Sequence, residues 1–239
     1  FDENTLSAFE ESYKAGFRSY ETDIRMTKDG QLVILHDSNL KRTTDIEGRV
    51  EEMTAAQIRK ANTKKGNKVL FFDEFMDWLA QKGDVGYVEF EMKTRPLDLY
   101  PQERLEEFCE KLYARVMRNK PEGAVYIFSS GECRSLRYLQ QAHPGVQLLL
   151  ITEYPCGDAA IDQCKAMGID RLAARIETTG REGVRKARGQ GITVDLYPCK
   201  TFDDVLLGIY LGADRLCTDI PVAAKKELTE KYPWMNVAY

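Results

Sequence analysis

The sequence predicts an α/β fold of the TIM (β/α)8 barrel type, and three observations support that prediction. Short runs rich in β-branched and aromatic residues alternate with longer amphipathic stretches, as in repeated βα units around a parallel sheet. No G-x-G-x-x-G or P-loop motif follows any of these runs, although open sheets that bind nucleotides usually carry one. Polar residues also cluster at the carboxyl ends of the predicted strands, which is where barrels carry their catalytic residues. These residues are Glu21, Asp23, Glu91, Lys93, Ser129, Tyr197 and Asp219.

The elements follow one another along the whole chain. We predict strands at residues 19–26, 31–35, 86–93, 124–129, 147–152, 171–176, 192–197 and 215–218. Helical patterns cover residues 5–15, 72–81, 101–118, 157–167, 181–189 and 202–212, and residues 222–232 have a helical composition. Several of these end at a glycine, as helices commonly do. Because there is no linker or break in composition, we expect one domain over residues 1–239.

Composition excludes several classes of partner. A net charge of −4 and a pI near 5.5, without a basic stripe, disfavour a nucleic-acid partner. No apolar run approaches the roughly 20 residues that span a bilayer, so we expect no stable membrane insertion. The six cysteines are scattered without a C-x-x-C pair, which indicates free thiols in a reducing compartment. We therefore predict a cytoplasmic location, while a secretory leader removed upstream of Phe1 and a homo-oligomer both stay open.

Two carboxylates in the first strand suggest a metal site. Residues i and i+2 of a strand face the same side, about 6.6 Å apart, so Glu21 and Asp23 point together. Glu89, Glu91 and Lys93 repeat this arrangement in the strand 86–93. Converging carboxylates repel one another unless a cation neutralises them, and oxygen ligands favour Mg²⁺ or Ca²⁺.

A purely structural interpretation of the same acids stays open. They could instead form a buried salt-bridge network with Arg18, Arg25 or Lys93.

The turn after the first strand predicts where one of the two histidines lies. Asp29-Gly30 is a strong signal for a two-residue hairpin loop. The facing pairs would then be Lys28 with Gln31, Met26 with Val33, and Asp23 with His36. This register would place His36 over the carboxylates. We therefore interpret His36 as a general acid or base. His143, in a loop that ends a helix, is assigned no role.

The residues from Glu3 to Thr44 carry a family resemblance. In order, they contain E-N-T, E-x-D, T-x-D-G, H-D and R-T-T, and this combination resembles the glycerophosphodiester phosphodiesterases. Further along, "FFDEFMDWL", "FEMK" and "GADRLCTDIP" resemble that family's helix after its insertion, its E-x-K strand and its closing strand. The resemblance implies a TIM barrel with a small insertion near 37–68. It also implies hydrolysis of glycerophosphodiesters to glycerol 3-phosphate and an alcohol, with Mg²⁺ or Ca²⁺.

The same resemblance implies roles for individual residues. Glu21, Asp23 and Glu91 match the metal ligands, and His36 matches a catalytic histidine. Lys93 is expected to be catalytic and to contact the phosphoryl oxygens of the substrate. Tyr197 stands where the family usually has a tryptophan, so we expect it to bind the glycerol moiety.

One departure from the family pattern is large. The family begins with a strand ending in H-R-G, which supplies a second catalytic histidine and a phosphate-binding arginine, and this sequence starts just after it. Without the return strand 31–35, the predicted parallel strands number seven rather than the eight of a TIM barrel. We expect the tail residues Asn236, Val237 and Ala238 to fill the vacant position by pairing with strands 215–218 and 19–23, in this molecule or by exchange with a neighbouring one, because unpaired strand edges are unfavourable.

Two rival functions stay open at this level. A non-catalytic or impaired barrel that binds a phosphorylated head group would fit the missing H-R-G segment. A relative of phospholipase D type, acting on lipids, would need an apolar entry surface, for which residues 69–72 are the candidate.

Overall fold

The computed structural model describes residues 2–118, 120–235, 237 and 238, and the chain forms two compact units. The first unit comprises residues 1–128 and 134–147, and the second comprises residues 129–133 and 148–239. Each unit alternates helices with parallel strands, so the predicted α/β class is confirmed. Barrel closure, an insertion at 37–68 and a single domain stay predictions.

The first unit contains the strands that carry the predicted metal ligands. Its elements are α1 (Leu6–Lys14), β1 (Ser19–Met26), β2 (Leu32–Ile34), α2 (Ala55–Ile58), α3 (Phe72–Lys82), β3 (Tyr87–Met92), α4 (Gln102–Arg118) and most of β4 (Val125–Ser130) and α5 (Cys133–Ala142). The strand order is β2-β1-β3-β4. β1 lies antiparallel to β2 and parallel to β3.

The second unit continues the alternation. Its elements are β5 (Leu148–Ile151), α6 (Asp158–Met167), β6 (Arg171–Arg175), α7 (Arg181–Gly189), β7 (Thr193–Cys199), α8 (Phe202–Leu211), β8 (Arg215–Thr218) and α9 (Pro221–Lys231). The strand order is β5-β6-β7-β8, and each neighbouring pair is parallel.

Most predicted elements are found with small shifts at their ends. β1, β8 and α7 have the predicted bounds, and α6 and α8 end at Gly168 and Gly212 in the left-handed conformation that glycine adopts readily. The helices α2 and α5 were not among those predicted. α2 begins with a capping box, in which Thr54 and Gln57 satisfy each other's backbone N–H groups. That T-x-x-Q spacing is a sequence signal that could have located it.

The segment 37–68 packs around a small apolar cluster of its own. Two short 3₁₀ turns (Leu40–Arg42 and Val50–Glu52) and α2 pack their apolar side chains against β2 and Phe71. The cluster consists of Val33, Leu35, Leu40, Val50, Ala55, Ile58, Ala61, Val69 and Phe71. Residues 69–72 are all buried. The apolar entry surface that a lipid-acting relative would need at these positions is therefore absent there.

The predicted register of the β1–β2 hairpin is wrong by one residue. The loop holds three residues rather than two, Lys28, Asp29 and Gly30, because the Thr27 N–H donates to the Gln31 carbonyl over 2.8 Å. Gly30 takes φ = +78°, as the left-handed third position of such a loop requires.

This shift changes what faces Asp23. The Leu35 N–H donates to the Asp23 carbonyl over 3.0 Å, so Leu35, and not His36, lies opposite Asp23. β2 ends at Ile34, and His36 follows in a bend beyond the strand.

The predicted pairing of the tail within its own chain is wrong in the described residues. Val237 and Ala238 belong to no strand, and Asn236 lies outside the described residues. Within the described part of the chain, the strand neighbour of β8 is β7 alone. The chain instead turns directly after α9 at Tyr232, whose ring centroid lies 6.0 Å from that of Phe202. The described contact at the start of the tail is therefore aromatic packing and not strand pairing.

All six cysteines lie in the described part of the chain and are free thiols. Among the described helices, none combines the length and apolar character that crossing a bilayer requires.

Gly183 in α7 provides a test of packing in the second unit. A Cβ at this position would lie 1.9 Å from the carbonyl oxygen of Cys156, which is backbone and cannot rotate away. We expect Gly183→Ala to lower the free energy of unfolding by about 1–3 kcal/mol, the usual cost of overpacking. Thermal or urea unfolding measures the change.

Gly189 at the other end of the same helix is the matched control. A Cβ there meets no described heavy atom within 4 Å, and Ala is favoured over Gly in helices. Gly189→Ala is expected to leave stability unchanged or raise it. A Gly183→Ala protein as stable as the original would contradict the close approach of α7 to Cys156.

Candidate metal and phosphate site

Three carboxylates converge at the end of β1 and β3. The parallel register places Asp23 opposite Glu91 and Glu21 opposite Glu89. Glu21, Asp23 and Glu91 each offer one carboxylate oxygen, and these oxygens all lie within 4.8 Å of one another. The structure therefore brings together all the metal ligands predicted from the sequence.

Lys93 lies directly against this group. Its Nζ is 2.6 Å from Glu91 Oε1 and 3.1 Å from Asp23 Oδ1, and its side chain is largely buried. Burial alone would lower the pKa of Lys93, but the charges of Asp23 and Glu91 outweigh it and raise the pKa. The ammonium is thus held as a cation beside the carboxylates.

Glu21 has a buried carboxylate oxygen, Oε1, that no hydrogen bond from the described residues satisfies. Burial, followed by the charges of Asp23, Glu91 and Glu89, raises its pKa well above the usual value. A buried oxygen without a partner is unfavourable, and a hard divalent cation bound by carboxylate oxygens would satisfy it. The residues present therefore fit such a cation.

Asn4 orients Asp23, although it was not among the site residues predicted from the sequence. Its Nδ2 donates to Asp23 Oδ2 over 2.6 Å, while its Oδ1 accepts from the Thr22 hydroxyl at 3.3 Å. Burial would raise the pKa of Asp23, but Lys93, His36 and the Asn4 hydrogen bond together lower it. Asn4 takes φ = +54°, a conformation that Asn tolerates better than most residues. The asparagine just before the N-cap of α1, in the E-N-T motif, is the signal that could have identified it.

His36 lies near the carboxylates despite the shifted register. A positive charge on its ring would help to lower the pKa of Asp23, and it would oppose only in part the burial that raises the pKa of Glu91. The ring is half-exposed, and its Nδ1 lies 2.7 Å from Asp37 Oδ1. Arg42 is the main reason, with His36, that the pKa of Asp37 falls to about 2. Asp37 is therefore ionised near neutral pH, and it can fix the tautomer of His36. The sequence did not predict this role.

The alternative salt-bridge network is present in part. Lys93 does pair with two of the acids. Arg18 pairs with Asp84, and Arg25 pairs with Glu51 instead.

Tyr197 lies in β7 of the second unit. Its hydroxyl donates to the Thr152 carbonyl over 2.8 Å, and the Arg175 guanidinium carbon lies 5.9 Å from its ring centroid. Its role in binding substrate stays a prediction.

An α/β fold with three carboxylates, a lysine and an exposed histidine at one place fits the class of phosphate-ester hydrolases. The sequence model of the glycerophosphoryl diester phosphodiesterase family matches residues 1–223. The chain belongs to this family and is a phosphodiesterase.

Two proteins of Bacillus subtilis (strain 168) are similar over most of their length. The uncharacterized protein YqiK is 29% identical over 94% of this chain and 92% of its own. A glycerophosphodiester phosphodiesterase is 27% identical over 92% of this chain and 79% of its own.

Solved structures share the fold. A Silicibacter pomeroyi protein aligns with a TM-score of 0.85 at 23% identity, covering 96% of this chain and 89% of its own. An Oleispira antarctica phosphodiesterase, solved in complex with the product sn-glycerol-3-phosphate, aligns with a TM-score of 0.81 at 18% identity, covering 95% and 91%.

Proposed function

We propose that this protein hydrolyses glycerophosphodiesters to sn-glycerol 3-phosphate and an alcohol, with a divalent cation, Mg²⁺ or Ca²⁺. In this reaction water adds to phosphorus, the bond from phosphorus to the alcohol oxygen breaks, and that oxygen takes a proton. Membership of the family supports the substrate class, and the related Oleispira antarctica structure with its bound product supports the direction of the reaction.

The observation that carries the proposal is the convergence of the carboxylates of Glu21, Asp23 and Glu91, in which Glu21 Oε1 is buried and has no hydrogen-bond partner among the described residues. These residues would hold the cation. When bound, a divalent cation supplies positive charge that polarises a phosphoryl oxygen.

Lys93 adds a second positive charge at the same place. Its ammonium, kept charged by Asp23 and Glu91, would stabilise negative charge that develops on the phosphoryl oxygens. The carboxylates hold the ammonium in position before substrate arrives, so little reorganisation is needed during the reaction.

His36 would transfer the proton. Asp37 accepts a hydrogen bond from Nδ1, so Nε2, for which the described part of the chain offers no hydrogen bond, would act on the substrate from the half-exposed ring. His36 would either protonate the leaving oxygen or take a proton from the attacking water.

Removal of divalent cations tests the proposal. We expect EDTA to abolish hydrolysis of glycerophosphocholine, and added Mg²⁺ or Ca²⁺ to restore it, with sn-glycerol 3-phosphate as the measured product. Circular dichroism before and after EDTA serves as the control for folding. Activity that EDTA leaves untouched would contradict the role of the cation, and binding without turnover would favour the head-group binder instead.

A further inference from the structure

Arg25 is a buried arginine in β1 that donates hydrogen bonds to the backbone carbonyls of both His36 and Lys93. Its side chain is 7% exposed. The guanidinium donates two hydrogen bonds to the carbonyl oxygen of His36, from Nε at 3.1 Å and from Nη2 at 2.7 Å. Its Nη1 donates to the carbonyls of Lys93 at 3.4 Å and Arg95 at 3.1 Å. One side chain therefore ties together the two segments that carry the proposed catalytic groups.

Glu51 holds this guanidinium in place. Its side chain is fully buried, and its Oε1 lies 2.8 Å from Nη1 of Arg25. The other oxygen, Oε2, accepts from the Ser38 hydroxyl at 2.9 Å, two residues after His36. The Tyr100 hydroxyl completes the network, since it lies 3.3 Å from Glu51 Oε1 and accepts from the Met26 N–H at 3.2 Å.

Stability alone is a weak reason for such a network. A buried ion pair is often no more stabilising than apolar residues of the same volume, because both charges lose their hydration. The planar guanidinium, in contrast, offers five donors in a fixed geometry, which suits the simultaneous binding of several carbonyls. A lysine at position 25 would present a single ammonium and could not reproduce that pattern.

We propose that Arg25, held by Glu51, is a positioning residue that fixes the backbone of His36 relative to Lys93 for the hydrolysis reaction. This inference rests on the proposed function, because it assigns Arg25 a role through His36 and Lys93. The segment 37–68 takes part in this positioning, because it supplies Glu51, the buried carboxylate that pairs with Arg25. Arg25 itself does not touch the substrate.

The first test compares two arginines at opposite ends of β1. We expect Arg25→Lys to lower kcat for glycerophosphocholine about 10²-fold with little change in KM, the size of loss that a misplaced group causes. Arg18→Gln is the matched control. Arg18 also binds a carboxylate, Asp84, and two backbone carbonyls, but it lies just before the first residue of β1, so kcat should not change.

A double variant separates positioning from stability. Arg25→Met combined with Glu51→Leu replaces the buried pair with apolar side chains, so the thermal midpoint is expected to exceed that of Arg25→Met alone. If Arg25 positions His36, kcat stays low in this stable double variant.

A spectroscopic readout does not depend on turnover. The chain has only two histidines, so their imidazole proton resonances in NMR can be assigned by substitution. In the Arg25→Lys variant and in the double variant the His36 resonances should shift or broaden, while those of His143, which stacks on Tyr113 in α4 and binds Glu110, should stay in place.

The outcomes are distinct. Full kcat and unchanged His36 resonances in the double variant would overturn the positioning role. If the unaltered protein shows no hydrolysis at all, the proposed function fails, and the His36 resonances alone then decide whether Arg25 positions that residue.

Discussion

Replacing Asp23 with alanine is expected to abolish cation-dependent hydrolysis while leaving the fold intact. Asp23 is the carboxylate that lies opposite Glu91 and contacts both Lys93 and Asn4, so its loss removes one proposed ligand of the cation and the contacts of these two neighbours. Changing even an outer-shell partner of a metal commonly costs 10- to about 100-fold in affinity or activity, and we expect a larger loss here.

The fold should tolerate this change. Removing Asp23 relieves repulsion against Glu21 and Glu91 when no cation is bound, and Lys93 keeps Glu91 as its partner. The thermal midpoint should therefore move by no more than about 4 °C, which corresponds to roughly 1 kcal/mol in a chain of this length.

Calorimetric titration with Mg²⁺ and Ca²⁺ measures the binding directly, alongside activity at increasing cation concentration. Asp84→Ala is the matched control, because it removes a carboxylate that pairs with Arg18 next to β1. Cation binding by the Asp23→Ala protein as tight as that of the unaltered protein would refute the assignment of the site.

Replacing His36 with glutamine is expected to lower kcat by about 10²–10⁴-fold with little change in KM. Glutamine keeps much of the size and hydrogen-bonding capacity of the ring but cannot exchange a proton near neutral pH. Proton transfer contributes in the transition state and not in ground-state binding, so the loss should appear in kcat.

The other histidine supplies the control. His143 Nε2 lies 2.9 Å from Glu110 Oε1, and its ring stacks on Tyr113, so His143→Gln should leave kcat unchanged. A change confined to KM in the His36→Gln protein would make His36 a substrate contact rather than an acid or base.

Both predictions began from sequence patterns that depend only on local geometry. The two-residue period of a strand puts Glu21 and Asp23 on one face of β1, and the same spacing aligns Glu91 with Lys93, one residue beyond the end of β3. Most helix and strand limits were also predictable, because glycine caps and apolar periodicity act over a few residues.

The hairpin was not predictable to the residue. Asp29-Gly30 signals a turn, but two- and three-residue loops both accept these residues, and their difference changes which side chain faces Asp23. In the structure, Asp29 accepts hydrogen bonds from the Thr27 hydroxyl and from the Ala55 N–H of the segment 37–68, contacts that belong to the three-residue loop.

The sequence by itself determined the α/β class and the family, and it predicted the carboxylates, the lysine and the histidine of the candidate site. Only the tertiary structure decided that Asp23 lies opposite Glu91, that Lys93 bridges them, and that Arg25 pairs with Glu51, 26 residues away. The physical reason is that these pairings join segments distant in the chain. A buried charge takes whichever partner the packed fold brings within hydrogen-bond distance, and local spacing carries no information about that choice.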